Sequence, residues 1–218
     1  IIPARYGSSR YKGKPLVKIL GKEMVIRVAD ICNKIKNVKV FVATDSKKIA
    51  NVVKKYGYKC IFTSSSCLTG TDRVAEASKK IRSKIYINVQ GDEPTINPKD
   101  IKKVIETKKK FPNHVICGYD KVHDFENPSS INLPKVVVNS NGELIYISRA
   151  LVPGKKKNSQ KIQYYKQVCI YAFNKKQLKK FYSMKRKSET ESFEDIEILR
   201  FFDLNEKIKM VKLNSQSV

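Results

Sequence analysis

Four short segments hold the residues best suited to chemistry. The first is Pro3-Ala4-Arg5-Tyr6-Gly7-Ser8-Ser9-Arg10-Tyr11-Lys12-Gly13-Lys14-Pro15-Leu16, which sets Arg5, Arg10 and Lys14 within ten residues among glycines and hydroxyls. Gly7 and Gly13 allow close approach to the backbone, Ser8 and Ser9 offer hydroxyls, and the cations suit the β and γ groups of a triphosphate. The P-loop spacing Gly-x4-Gly-Lys-Ser/Thr is absent. Ala43-Thr44-Asp45 is the second segment, readable as a helix N-cap. In the third, Leu68-Thr69-Gly70-Thr71-Asp72-Arg73, Gly70 lets backbone amides face a ligand, and Asp72 with Arg73 would read a base edge or a phosphate. The fourth, Asn88-Val89-Gln90-Gly91-Asp92-Glu93-Pro94, delivers a carboxylate at the end of an apolar run. Hard cations favour a carboxylate combined with phosphate oxygens and water, so Asp92 is the leading ligand for Mg²⁺. Gln90 and Gly91 would support base or sugar, with Glu93 behind them.

Hydrophobic periodicity supplies the elements that must position these segments. Residues 1–4 read as the end of a buried strand, 24–35 as a helix, 38–43 as a strand, and Thr44-Asp45 as the cap of a helix through Ile49 and Val53. A strand at 59–63, a helix at 71–81, a strand at 85–89 and a helix from Pro98 to about Phe111 continue the alternation. Strand, loop and helix in repetition predict parallel strands covered on both faces, with ligands at their carboxyl ends. The pattern then changes to strands at 135–138, 144–148 and 168–173, helices at 175–182 and 192–202, and a strand at 208–213. The polar patch 155–161 reads as a loop.

Composition bounds the function. The 218 residues fit one domain, and no stretch has the length and apolarity of a membrane span. Five scattered cysteines without zinc-ligand spacing predict reduced thiols and a cytoplasmic protein. The net charge of +25 invites a nucleic-acid reading, yet only eight of the 45 basic residues are arginine. Base readout and phosphate forks favour arginine, whereas lysines spread along helix faces, such as Lys102, Lys103 and Lys108 to Lys110, describe a solvated surface. His114 and His123 lie outside the four segments and read as surface residues.

Taken in order, the four segments resemble the 3-deoxy-manno-octulosonate (Kdo) cytidylyltransferases, or CMP-Kdo synthetases. Later motifs carry the resemblance along the chain: Pro134-Lys135-Val136-Val137, Tyr146-Ile147-Ser148-Arg149-Ala150, Ile170-Tyr171-Ala172-Phe173 and Glu194-Asp195-Ile196-Glu197-Ile198-Leu199-Arg200. The sialic-acid branch differs in the first loop and in the metal-bearing strand. The resemblance implies an α/β, Rossmann-like nucleotidyltransferase fold: a mostly parallel sheet flanked by helices, with a smaller mixed-strand part. Residues 1–218 would be a single domain, 1–112 holding CTP and metal, 113–218 holding the sugar and building a homodimer. It further implies CTP and an acidic keto sugar as substrates, for lipopolysaccharide or capsule synthesis, and neither membrane insertion nor nucleic acid.

By the same resemblance, Ala4, Arg5, Gly7, Ser8, Ser9, Arg10, Lys14, Thr71, Arg73 and Gln90 would bind the nucleotide. Lys14, Arg10 and Asp92 would be catalytic, with Mg²⁺ on Asp92, while Gln90, Arg149, Tyr171 and Glu197 would face the sugar. Two departures stand out. Lys166-Gln167-Val168-Cys169 replaces a family Lys-His-Ile/Val-Gly, which opens the choice to another acidic keto sugar. The chain also stops at Ser215-Gln216-Ser217-Val218, before a family segment carrying a second metal-binding aspartate, and it starts inside a strand, so both ends read as truncated. A catalytically impaired basic binding protein that keeps the fold is the remaining alternative.

Overall fold

The computed structural model describes residues 1–7, 11–157 and 161–214. The chain begins with β1 (Ile2–Ala4), a hairpin of β2 (Lys18–Ile19) and β3 (Lys22–Glu23), then α1 (Met24–Asn33), β4 (Phe41–Thr44), α2 (Lys47–Lys55) and β5 (Lys59–Phe62). Next come α3 (Gly70–Ser78), β6 (Tyr86–Val89), α4 (Pro98–Lys110), β7 (Val115–Lys121), β8 (Lys135–Val138), β9 (Leu144–Ser148) and β10 (Tyr165–Phe173). The last elements are α5 (Lys175–Ser183), α6 (Glu189–Glu194), a 3₁₀ turn (Glu197–Leu199), α7 (Arg200–Asp203) and β11 (Ile208–Lys212).

Strands β1, β4 and β5 pair in parallel, with β4 in the centre. The other edge of β1 meets β6: the Ile1 amino group donates to Ile87 O at 2.7 Å, and Val89 N–H donates to Ile1 O at 3.2 Å. That alternation is the parallel pattern, so the sheet continues as β5-β4-β1-β6-β10-β7-β11. Strand β10 runs antiparallel to both β6 and β7, and β11 is parallel to β7. The β8–β9 hairpin attaches to β10 at Lys135↔Lys166.

Each face of the sheet is buried by its own helices. On one face Val25, Ile26, Val28 and Ala29 of α1, Ile49 and Val53 of α2, and Ile101 and Val104 of α4 form one core. On the other, Val74 of α3, Leu178 and Phe181 of α5, and Phe201 of α7 pack with Tyr86 and Phe173, the Phe201 ring lying against those of Phe173 and Phe181. The three-layer α/β arrangement expected from the alternation is the one observed. Connections leave β1 toward β4 on one side, and β6 lies on the other, so a topological switch point opens at the carboxyl ends of β1 and β6.

Four local expectations are corrected. Strand β7 was not anticipated; Gly118 interrupts its apolar run, and a Cβ there would crowd the Val168 carbonyl oxygen of β10 at 3.0 Å as well as Leu213 Cδ1 at 2.6 Å. The helix expected over 192–202 is three pieces, broken where Asp195 takes φ +49. The α2 N-cap is Ser46, whose hydroxyl accepts from Ile49 N–H, one residue after Asp45. Lys108 belongs to no solvated face: it is buried and donates to Pro112 O, His114 O and Gln177 Oε1, tying the end of α4 to α5. Lys135 and Lys166 are buried as well, Lys135 on the carbonyls of Ser130 and Arg149, and Lys166 on the Glu126 carboxylate.

Candidate functional site

Strand β1 ends at Ala4 and releases Arg5 into solvent at the head of the first loop. Further along, Gly13 closes that loop on Tyr6, its N–H donating to Tyr6 O at 2.8 Å. Gly13 has φ +78, and a Cβ there would press the Tyr6 ring at 3.3 Å, so glycine suits the position twice over. The 3₁₀ turn Lys14–Leu16 starts immediately after it, with Pro15 fixing its first turn. This geometry brings Lys14 Nζ to 2.6 Å from Asp92 Oδ2. Ser8, Ser9 and Arg10, expected on the nucleotide, lie outside the described residues. Gly7 is exposed on the near side of the loop.

Asp92 stands on the turn after β6, about half exposed and beside the end of β1. Their closeness depends on Gly91, where a Cβ would fall 2.8 Å from Pro3 O. Among the described residues there is no group of three or more His, Cys, Asp or Glu able to hold a metal. A single accessible carboxylate beside a lysine fits Mg²⁺, an ion that keeps most of its shell as water and substrate phosphate oxygens.

Helix α3 forms the next wall. Thr69 caps it and Asp72 completes a capping box, with Thr69 N–H and Oγ1–H donating to Asp72 Oδ2 at 2.9 and 2.8 Å. The expectation that Asp72 reads a ligand is corrected here. It is buried, and its carboxylate is forked by Arg200, Nη1 to Oδ1 at 2.8 Å and Nη2 to Oδ2 at 3.2 Å. Arg200 also donates to both oxygens of Glu191, at 2.5 and 2.7 Å, and lies over the Phe181 ring. Its guanidinium thereby locks α3 to the segment holding Glu197. Arg73 is buried but reaches the cleft, donating to Asp45 Oδ2 at 3.0 Å and Thr63 Oγ1 at 2.6 Å.

Glu197 links the two halves of the chain. One oxygen accepts the Thr71 N–H at 2.9 Å, and the other accepts from Gln90 Nε2 at 3.0 Å. Burial pushes its carboxyl above the ordinary range, although the Thr71 N–H pulls it the other way. Gln90 in turn touches Gly70, where a Cβ would lie 3.0 Å from its amide. Tyr171 is buried in β10; Gln167 Nε2 donates to its hydroxyl at 3.1 Å, and burial raises the phenol well above its usual value.

A cleft of about 610 Å³ collects Ala4, Arg5, Lys14, Arg73, Gln90, Asp92 and Glu197. Thr71 adjoins it through Glu197. Arg149 and Tyr171 are not among its lining residues, and the Arg149 guanidinium donates to the carbonyls of Ile131, Glu194 and Asp195. Sequence reasoning passed over Lys187, Glu191 and Asp195, which do line it. Glu191 stands three residues after Ser188 in a capping box, a signal that was available.

Residues 1–208 match the family model described as Cytidylyltransferase. A 3-deoxy-manno-octulosonate cytidylyltransferase of Escherichia coli is 37% identical over 207 residues, which are 93% of this chain and 82% of that protein. The Rickettsia felis protein of the same description is 39% identical, covering 91% and 81%. A solved structure titled CMP:2-keto-3-deoxy-manno-octonic acid synthetase, complexed with CTP, superposes with TM-score 0.90 and 35% identity, over 100% of this chain and 90% of that one. The inositol-1-phosphate CTP transferase from T. maritima, 17% identical with TM-score 0.65, shares the fold.

Proposed function

Because the chain belongs to the cytidylyltransferase family, and within it to the 3-deoxy-manno-octulosonate cytidylyltransferases, we propose that it transfers CMP from CTP to Kdo and releases pyrophosphate. The observation that supports this most directly is one cleft with two kinds of groups. At the ends of β1 and β6 it has Lys14, Arg5 and Asp92, suited to phosphates and a hard cation. Across the joint between the halves it has Gln90 held by Glu197, an acceptor and donor pair suited to sugar hydroxyls.

The anomeric hydroxyl of the sugar attacks the α-phosphorus in line as pyrophosphate leaves. Positioning and neutralisation of charge supply most of the acceleration, since the protein forms no covalent bond. Lys14 and Arg5, with Arg10, Ser8 and Ser9, steady the triphosphate, and Thr71 and Arg73 border the nucleotide. Asp92 would hold Mg²⁺, which when bound neutralises phosphate charge and polarises the reacting phosphoryl group. Gln90 and Glu197 orient the sugar, and Arg149 fixes the turn that carries Glu197, while Tyr171 stays buried in β10 behind the cleft lining. In this reading residues 1–112 serve CTP and lend Gln90 to the sugar, and 113–218 supply the rest of the sugar site. Mass analysis of the product from CTP and a panel of acidic keto sugars tests the assignment. A CMP adduct of Kdo formed in preference to the others supports it, and preference for a different octulosonate would move the substrate while keeping the reaction.

The enzyme works in the cytoplasm as a homodimer in this reading. The five cysteines are free, and among the described residues no helix is long and apolar enough to cross a membrane. Ile131, Ile145 and Leu151 are exposed apolar residues in the β8–β9 region and suit a self-association surface. Ile145→Asp combined with Leu151→Asp is expected to halve the sedimenting mass; an unchanged mass would place the dimer contact elsewhere.

A further inference from the structure

The second half of the chain gives the cleft Lys187, Glu191, Asp195 and Glu197. Three of these four are carboxylates, a hostile wall for an acidic sugar. Glu191 is neutralised by Arg200, and Glu197 is occupied by Thr71 and Gln90. Lys187 is the sole cation on this wall among the described lining residues. Its Nζ lies 2.6 Å from Oδ1 of Asp195, whose side chain is 73% exposed.

The resemblance directs Arg149 at the sugar carboxylate, but its guanidinium is engaged by three backbone carbonyls. Two of these belong to Glu194 and Asp195, and the Glu194 carboxylate accepts back from Ser148 Oγ at 2.6 Å and Arg149 N–H at 2.8 Å. Together they hold the turn at which Asp195, a residue of the cleft lining, adopts φ +49.

We propose that Lys187 is the specificity-determining cation that receives the carboxylate of the acidic sugar, with Asp195 as the resting counter-ion it exchanges and Arg149 as a positioning residue for their turn. The inference rests on the acidic-sugar reading above. An ion pair this open to water contributes little, so a substrate carboxylate displaces Asp195 at small cost. A neutral sugar offers no charge to replace the lost partner, and the pair therefore selects for acids.

Steady-state kinetics with Kdo and CTP varied separately tests this. Lys187→Met is expected to raise the KM for Kdo about tenfold or more, the worth of a charge-assisted hydrogen bond, with the KM for CTP unchanged. Lys187→Arg should restore most of the affinity. Asp195→Asn should move the Kdo KM in the opposite direction, downward, because it removes the competitor. An unchanged Kdo KM in Lys187→Met, or an equal rise for CTP, would overturn the proposal. Turnover by the unaltered enzyme checks the underlying reaction separately, and calorimetric titration of Kdo onto both proteins reads the same contact without turnover. Kdo binding that is indifferent to Lys187 there also contradicts it.

Discussion

Arg200→Leu is expected to destabilise the protein by about 3–5 kcal/mol, because removing one partner of a buried ion cluster strands the others. Asp72 and Glu191 share this single guanidinium, and all three side chains are buried. With the arginine gone, two carboxylates face each other in a site that excludes water. Leucine fills much of the volume but offers no donor, so packing against Phe181 does not compensate. The expected observation is a large drop in the urea midpoint with little change in slope. Arg200→Lys should recover part of the loss, since it restores charge without the two-sided fork. The triple variant Asp72→Asn, Glu191→Gln, Arg200→Leu should be less damaged than the single one, because no charge is left stranded. A single Arg200→Leu variant as stable as the parent would show that the cluster contributes nothing net.

The second large effect is confined to activity. Asp92→Asn is expected to lower kcat/KM about a thousandfold, the scale of losing several kcal/mol of metal-assisted charge stabilisation. The fold should be nearly untouched. Asp92 is exposed, and its contact with Lys14 is an exposed pair whose contribution to stability is about 1 kcal/mol or less. Catalysis and stability therefore separate at Asp92 and fall together at Arg200. Equal melting midpoints beside a thousandfold activity difference would establish that separation; a few-fold activity difference would remove Asp92 from the metal site.

Much of this architecture is visible in local sequence. Apolar periodicity marks α1, α2 and α4, and short apolar runs mark β4, β5 and β6, because each buries one face or both against a neighbour in the same unit. The four loops are legible for a related reason. Parallel strands put consecutive loops at one edge, so Lys14 and Asp92, 78 residues apart, meet. What escapes is set by distant contacts. The fork on Asp72 comes from a residue 128 positions away; the Thr69-x-x-Asp72 spacing announces a capping box locally, but not the buried arginine on its other side. The helical pattern over 192–202 is sound locally, but the bonds from Arg149 to Glu194 and Asp195 accompany a break there that presents Glu197. Lys108 reads as one of many surface lysines until the carbonyls of the following turn and Gln177 are seen around it. Strand β7 hides behind Gly118, whose missing side chain leaves room for the Val168 carbonyl of β10 and the Leu213 side chain.

The most direct test of the central claim is pyrophosphate release by the full-length protein supplied with CTP, Mg²⁺ and Kdo, run beside Asp92→Asn. Release is expected to require all three components and nearly to vanish in the variant. Silence from a folded protein with Kdo and every other acidic keto sugar would contradict it.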